Sequence, residues 1–157
     1  MTYQSASGYA GDLLAPDAFE LLAGDPTSTL IDVRTQAEWT YVGAPDLSSL
    51  GKAALFLEWQ SFPSMQVDGR FPSMQVDGRF AARLSTMLET GGLKRGAPLL
   101  FLCRSGVRSR HAAIAMTAEG WTPCFNVSDG FEGPLDSWRH RSVVGGWKAA
   151  GLPWTQT

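Results

Sequence analysis

The chain has 157 residues, 44% hydrophobic and 18% charged, with a formal net charge of −2. That length and balance fit a single compact domain with one core of ordinary size and exclude a disordered chain. A sequence pI near 5.6 offers no general attraction to nucleic acid or anionic lipid, and no apolar run approaches a membrane span.

In chain order, residues up to about Tyr9 are small and polar and are expected to fray. Pro16 suits the first turn of a helix running to about Ala23, ended by Gly24-Asp-Pro26. Thr29 to Val33 reads as a short buried strand, Thr35 to Tyr41 as a short helix, and Ala53 to Leu57 as the next strand. Arg79 to Thr90 is predicted helical with Gly91-Gly92 as terminator. Pro98 to Leu102 is the most apolar strand, Val107 to Glu119 the helix after it, Pro123 to Val127 a last strand, and Ser142 to Ala150 a final short helix. Uniformly apolar strands alternating with helices predict an α/β fold: a parallel central sheet covered by helices on both faces.

FPSMQVDGR occurs twice in succession, at 62–70 and 71–79. A nonapeptide copied once is not a repeat architecture. It reads as an enlarged surface loop, which costs little stability because closure entropy grows slowly with length. Pro72 would interrupt a helix begun at Asp68, so the second copy is expected to lead into the helix that follows.

The two cysteines, Cys103 and Cys124, have no zinc-like spacing and are expected to be free thiols. The N-terminus lacks a basic start and an apolar run of signal-peptide length. Together these point to a cytoplasmic protein.

Chemistry concentrates at Leu99-Leu-Phe-Leu-Cys-Arg-Ser-Gly-Val-Arg-Ser109. Cys103 ends the most apolar strand, a Ser/Gly/Arg loop follows, and an Ala-rich helix begins. Open α/β sheets bind ligands at that end of their strands, and loop amides with a helix N-terminus favour negative charge there. Arg104 and Arg108 flank Gly106 with fixed positive charge. Such surroundings make a thiol a nucleophile. Cys103 and Arg108 are separated by Arg-Ser-Gly-Val. Protein tyrosine phosphatases and their relatives space the pair one residue wider, to wrap a tetrahedral phosphate.

The loop Cys103-Arg-Ser-Gly-Val-Arg-Ser109 resembles the active-site loop of the rhodanese family of sulfurtransferases. The likeness extends to Asp32-Val-Arg34 with Glu38-Trp39, to Asn126-Val-Ser-Asp-Gly-Phe-Glu-Gly133 and to the closing Trp147-Lys-Ala-Ala-Gly-Leu-Pro-Trp154. The family's Gly-His-Ile-Pro-Gly-Ala is here Val42-Gly-Ala-Pro-Asp-Leu47, without the histidine. The resemblance implies a rhodanese-like domain that moves sulfane sulfur through a persulfide on Cys103. The donor would be thiosulfate or a persulfide, including a protein persulfide such as that of a cysteine desulfurase, and the acceptor a thiol or cyanide. No cofactor, metal, nucleic acid or membrane is called for. Two readings stand beside it: a Cys-dependent phosphatase or arsenate reductase, and a non-catalytic binding module that kept the fold.

The site expected from this reading is Cys103 as nucleophile, with Arg104, Ser105, Gly106, Val107, Arg108 and Ser109 as the binding loop. Gly106 supplies the backbone freedom the loop needs to close. Arg104 is expected at the mouth, for an anionic donor. Arg108 lies in the first helical turn, where the dipole disfavours a cation, so an anionic ligand or a carboxylate is expected to compensate. Ser109 is expected either to reach the sulfur or to cap the helix. Asp32 and Arg34 are expected behind the site, shaping it or tying the strand end to the next helix, with Glu38 as a partner for Arg34. Cys124, between strand-like neighbours, reads as a buried inert thiol rather than a resolving one. The tryptophans read as core and lid, since no basic stripe accompanies them.

Overall fold

A computed structural model of the chain describes residues 3–61, 75–76 and 78–157. The apolar β-branched and leucine runs form the centre of a sheet: β3 (Thr29–Asp32), β8 (Leu99–Leu102) and β9 (Cys124–Val127) lie side by side and parallel. β2 (Gly11–Leu13) adds parallel to β9, β5 (Leu55–Phe56) adds parallel to β3, and β1 (Gln4–Ser5) closes one edge antiparallel to β2. The six-stranded order is β1-β2-β9-β8-β3-β5. Two small ribbons flank it, β4 (Ala44–Pro45) with β10 (Trp154–Thr155) and β6 (Gln60–Ser61) with β7 (Gln75–Val76).

Alternation along each strand sends side chains to two cores. Leu99 and Phe101 of β8 join Ile31, Leu84, Leu88, Ala112 and Met116, on the side of α3 (Phe80–Thr90) and α4 (Val107–Ala118). Leu100 and Leu102 join Leu30, Ala18, Leu22 and Trp147, on the side of α1 (Ala15–Gly24). This is the expected parallel sheet with helices on both faces. The small Ala112 and Ala113 of α4 are fully buried, which brings that helix close to β8 and directs its N-terminus at the end of the strand.

α2 (Gln36–Tyr41) starts on a capping box: the Thr35 hydroxyl accepts from the Glu38 N–H, and the Glu38 carboxylate accepts from the Thr35 N–H. A 3₁₀ turn at Ser48–Leu50 follows β4.

Two expectations change, and one strand is additional to those expected. The segment before Tyr9, expected to fray, holds β1 from Gln4, and Tyr9 itself is buried with its hydroxyl donating to Asp12 Oδ1 at 2.9 Å. The missed strand β2, three residues with a glycine at its head, is too short to carry a periodic signal. The final helix expected over 142–150 is a set of turns. Its central amides bond elsewhere, Trp147 N–H to Gly130 O and Lys148 N–H to Phe131 O, and Gly146 holds φ +100°, outside helical space.

The doubled nonapeptide expectation falls mostly outside the described residues. Within them, Gln75–Val76 of the second copy pairs with Gln60–Ser61, and the helix after it begins at Phe80.

Candidate active site

β8 delivers Cys103 to the carboxyl end of the sheet, and the chain turns at once into α4. The turn needs Gly106, which caps α4 with φ +102° and no side-chain cap. A Cβ there would stand 2.3 Å from Ser128 O, so glycine is required by both angle and space. With that turn made, the Gly106 N–H donates to Cys103 Sγ at 3.1 Å, and Ser109 Oγ lies 3.1 Å from the same sulfur. Ser109 is therefore not a helix cap. Its hydroxyl donates to Asn126 Oδ1 at 2.6 Å.

The back of the loop is the segment after β9. Phe131 N–H donates to Cys103 O at 2.8 Å, and Glu132 and Gly133 N–H both donate to Arg104 O. Gly130 holds φ +69°, and a Cβ on it would lie 2.3 Å from Arg104 O. The glycines and the aromatic of the 126–133 motif thus have a physical purpose: they let one strand-end loop seat against another.

Cys103, 1% exposed, forms part of the floor of a cavity of about 760 Å³. Arg104, Ser105, Val107 and Arg108 line it from the loop and the first turn of α4, and Glu38, Trp59, His111 and Glu132 complete the wall. Gly106 and Ser109 are buried behind the sulfur. His111 stacks on Trp59 with ring centroids 6.4 Å apart.

Arg108 finds its compensating carboxylate in Glu38. Nη1 donates to Oε1 at 2.6 Å and Nη2 to Oε2 at 2.9 Å, the fork geometry that makes arginine–carboxylate pairs strong. Burial alone would push the Glu38 carboxyl up. Arg108 and the Thr35 contacts outweigh it and leave the carboxyl below its ordinary value. Burial likewise opposes the Arg108 charge, and Glu38 more than restores it.

The expected Arg34–Glu38 pair is absent. Arg34 turns back on Asp32, donating from Nη2 to Oδ2 at 2.7 Å and from Nε to Oδ1 at 3.0 Å. Both side chains are 0% exposed. The two sit at alternate positions of one strand end, so their encounter needs no tertiary accident, whereas Glu38 is drawn to the α4 side. Arg34 Nη2 also donates to Gly43 O, and its guanidinium lies 4.1 Å from the centre of the Phe131 ring. Asp32 and Arg34 do not line the cavity. They brace Phe131, which in turn holds Cys103 O.

Cys124 is fully buried, and its Sγ donates to Trp121 O at 2.9 Å. Burial pushes its thiol up to about 11, as the inert reading requires. The tryptophans divide: Trp121 and Trp147 are core, Trp59 lines the cavity, and Trp138 is 80% exposed.

The sequence reading missed Trp59, His111, Glu132 and Asn126 as site neighbours. Only Asn126 carried a signal: an amide in the middle of an otherwise apolar strand.

An uncharacterized protein of Rickettsia conorii is 34% identical over 143 residues, covering 91% of this chain and 95% of that one. Another from Rickettsia rickettsii is 35% identical over the same length. The crystal structure of Rv0390 from M. tuberculosis superposes with a TM-score of 0.79 at 44% identity, covering 95% of this chain and 99% of that one. The solution structure of the polysulfide-sulfur transferase homodimer from Wolinella succinogenes shares the fold, with a TM-score of 0.53 at 23% identity over 93% of this chain and 78% of that one. The rhodanese-like domain profile matches residues 15–135, from α1 through the Cys103 loop to the segment that backs it, and the chain belongs to that family.

Proposed function

We propose that this chain is a sulfurtransferase that moves sulfane sulfur from an anionic donor, thiosulfate or a persulfide, to a thiol or cyanide through a persulfide on Cys103. The observation that carries the reading is the sulfur itself. Cys103 Sγ ends a buried strand at the floor of the cavity, receives the Gly106 N–H at 3.1 Å, and faces the N-terminus of α4 within a rhodanese-family loop. One fold neighbour is named for polysulfide-sulfur transfer.

In the first half-reaction the Cys103 thiolate attacks the outer sulfur of the donor. A bond forms between Sγ and that sulfur, and the donor's own bond to it breaks. The leaving group, sulfite when the donor is thiosulfate, departs with the electron pair. In the second, an acceptor thiolate or cyanide attacks the outer sulfur, and the Cys103 thiolate leaves with the pair. This is ping-pong covalent catalysis. The Gly106 N–H and the N-terminus of α4, fixed in place by the fold, favour the negative charge that develops on sulfur without reorganising. Arg104, exposed at the mouth, attracts the anionic donor.

The test is intact-mass measurement after exposure to thiosulfate, followed by addition of cyanide. One sulfur atom should add to the parent chain, none to Cys103→Ser, and the addition should discharge as thiocyanate. A chain that takes up no sulfur from thiosulfate or from any persulfide donor overturns the reading.

A further inference from the structure

Asn126 interrupts the apolar strand β9, whose other residues are Cys124, Phe125 and Val127. Asparagine is disfavoured in strands, and burying an amide is costly unless its hydrogen bonds are made. At 3% exposure they are made, and all of them serve the Cys103 loop or its support. Nδ2 donates to Gly106 O and to Asp12 Oδ1, each at 3.1 Å. Asp12 Oδ1 is held from its other side by the Tyr9 hydroxyl at 2.9 Å. Two acceptors on one end fix the amide's orientation, so Oδ1 faces Ser109 and accepts its hydroxyl at 2.6 Å.

Ser109 has one hydroxyl hydrogen and two neighbours, Asn126 Oδ1 and, at 3.1 Å, Cys103 Sγ. When Cys103 is a thiol, every contact is satisfied: S–H donates to Oγ, and O–H donates to Oδ1. When Cys103 is a thiolate, both neighbours are acceptors and a single hydrogen serves them. Turning it to the sulfur leaves Oδ1 bare in a buried place.

We propose that Asn126 is a positioning residue that sets how readily Cys103 ionises, by competing with the sulfur for the one Ser109 hydrogen. The inference rests on Cys103 being the nucleophile of the transfer proposed above. Asn126 acts through Ser109 and touches no reacting atom. Its hold on Gly106 is separate. Gly106 O belongs to the peptide that opens α4, whereas the Gly106 N–H that reaches the sulfur belongs to the peptide before it.

Among the described residues, the charged and titratable groups around Cys103 come from every neighbouring element. Arg104, Arg108 and His111 face the site from the loop and α4, Glu38 from α2 and Glu132 from the segment after β9, while Asp32 and Arg34 lie buried behind it at the end of β3. Asp12 lies beyond Asn126. All are common to the variants compared below, and Asn126→Leu removes the Nδ2 bonds in both backgrounds, so the part of its effect that disappears in Ser109→Ala reports the Ser109 hydrogen.

Alkylation of Cys103 by iodoacetamide is followed against pH by intact mass in the full chain, in Asn126→Leu, in Ser109→Ala and in the double variant, with thermal melting as a check on folding. Asn126→Leu should move the profile to lower pH and raise the rate at neutral pH by roughly fivefold, the weight of one neutral hydrogen bond. The same substitution made on Ser109→Ala should leave the profile where it was. A profile that stays or moves upward in Asn126→Leu, or an equal movement in both backgrounds, overturns the proposal. A second measurement needs no core substitution. The Asn126 side-chain amide signals in NMR spectra of the parent chain should shift with pH at the Cys103 alkylation midpoint, and the shift should vanish in Ser109→Ala. Signals indifferent to that midpoint overturn the proposal equally. Neither readout uses a sulfur donor, so a chain that alkylates as expected and forms no persulfide counts against the transferase reading alone.

Discussion

Arg108 and Glu38, 70 positions apart, close a two-point ion pair across the cavity wall at 2.6 and 2.9 Å. The pair explains how a cation is tolerated in the first turn of α4, where the helix dipole opposes it. It also ties α2 to α4 beside Cys103. Arg108 therefore has its charge answered within the protein, and of the two arginines that line the cavity among the described residues Arg104 is the one left for an incoming anion.

The pair predicts a pH signature. Glu38 titrates below its ordinary value in the folded chain. A lowered carboxyl contributes stability above its unfolded value of about 4.3 and loses it as pH falls through the folded value. Glu38→Gln should therefore melt at lower temperature than the parent at neutral pH, and the gap should close in acid. Thermal melting of both proteins across the acid range checks this. A gap of constant size would mean that the charge of Glu38 contributes nothing.

Donor capture is assigned to Arg104, which is exposed at the cavity mouth. Arg104→Ala should raise the KM for thiosulfate more than it lowers kcat, because it removes attraction felt equally before and during the reaction. Steady-state kinetics at low ionic strength give the largest effect, since salt screens exposed charges. Unchanged kinetics would make Arg104 an ordinary surface residue.

The two thiols should behave oppositely. Cys103→Ser should abolish sulfur transfer and keep the fold, the change being small. Cys124→Ser should retain most activity. In the native chain Cys124 should resist alkylation near neutral pH, because it is sealed from solvent and its thiol is pushed up to about 11. Peptide mapping after brief iodoacetamide treatment distinguishes them. Rapid labelling of Cys124 would contradict the burial argument.

Two glycines with nearly equal backbone angles should respond unequally to alanine. Gly51 has φ +68° with open space where a Cβ would stand, and Gly130 has φ +69° with Arg104 O only 2.3 Å from that point. Gly51→Ala should cost only the left-handed strain of about 1–2 kcal/mol and leave activity intact. Gly130→Ala should cost more and lower kcat as well, since it displaces the backbone behind Cys103. Chemical denaturation with matched kinetics tests the contrast, and equal losses in the two variants would count against the seating of one loop on the other.

How much of this was legible in the chain varies with distance along it. Leu99 to Leu102 announced a buried strand by composition, and Cys103 to Ser109 announced a strand-to-helix turn by its Ser/Gly/Arg content, because both are local properties. The helices at Pro16 and Phe80 were legible for the same reason. β2 was not, since three residues with a glycine at their head have no period to read. The turns at 142–150 were not either: helix-compatible residues there are overruled by hydrogen bonds to Gly130 and Phe131. An Arg34–Glu38 pair tying the strand end to the next helix is the expectation, while the fold gives Arg34 to Asp32 and Glu38 to Arg108.

By itself the sequence determined the fold class and the loop that turns from β8 into α4 at Cys103, because apolar runs, glycines and a cysteine at a strand end act through their immediate neighbours. Only the tertiary structure decided what surrounds the sulfur: Glu38 answering Arg108, Phe131 holding Cys103 O, and Asn126 accepting the Ser109 hydrogen. Those partners come from other strands and loops, and a hydrogen bond depends on distances of a few tenths of an ångström that no spacing along the chain encodes.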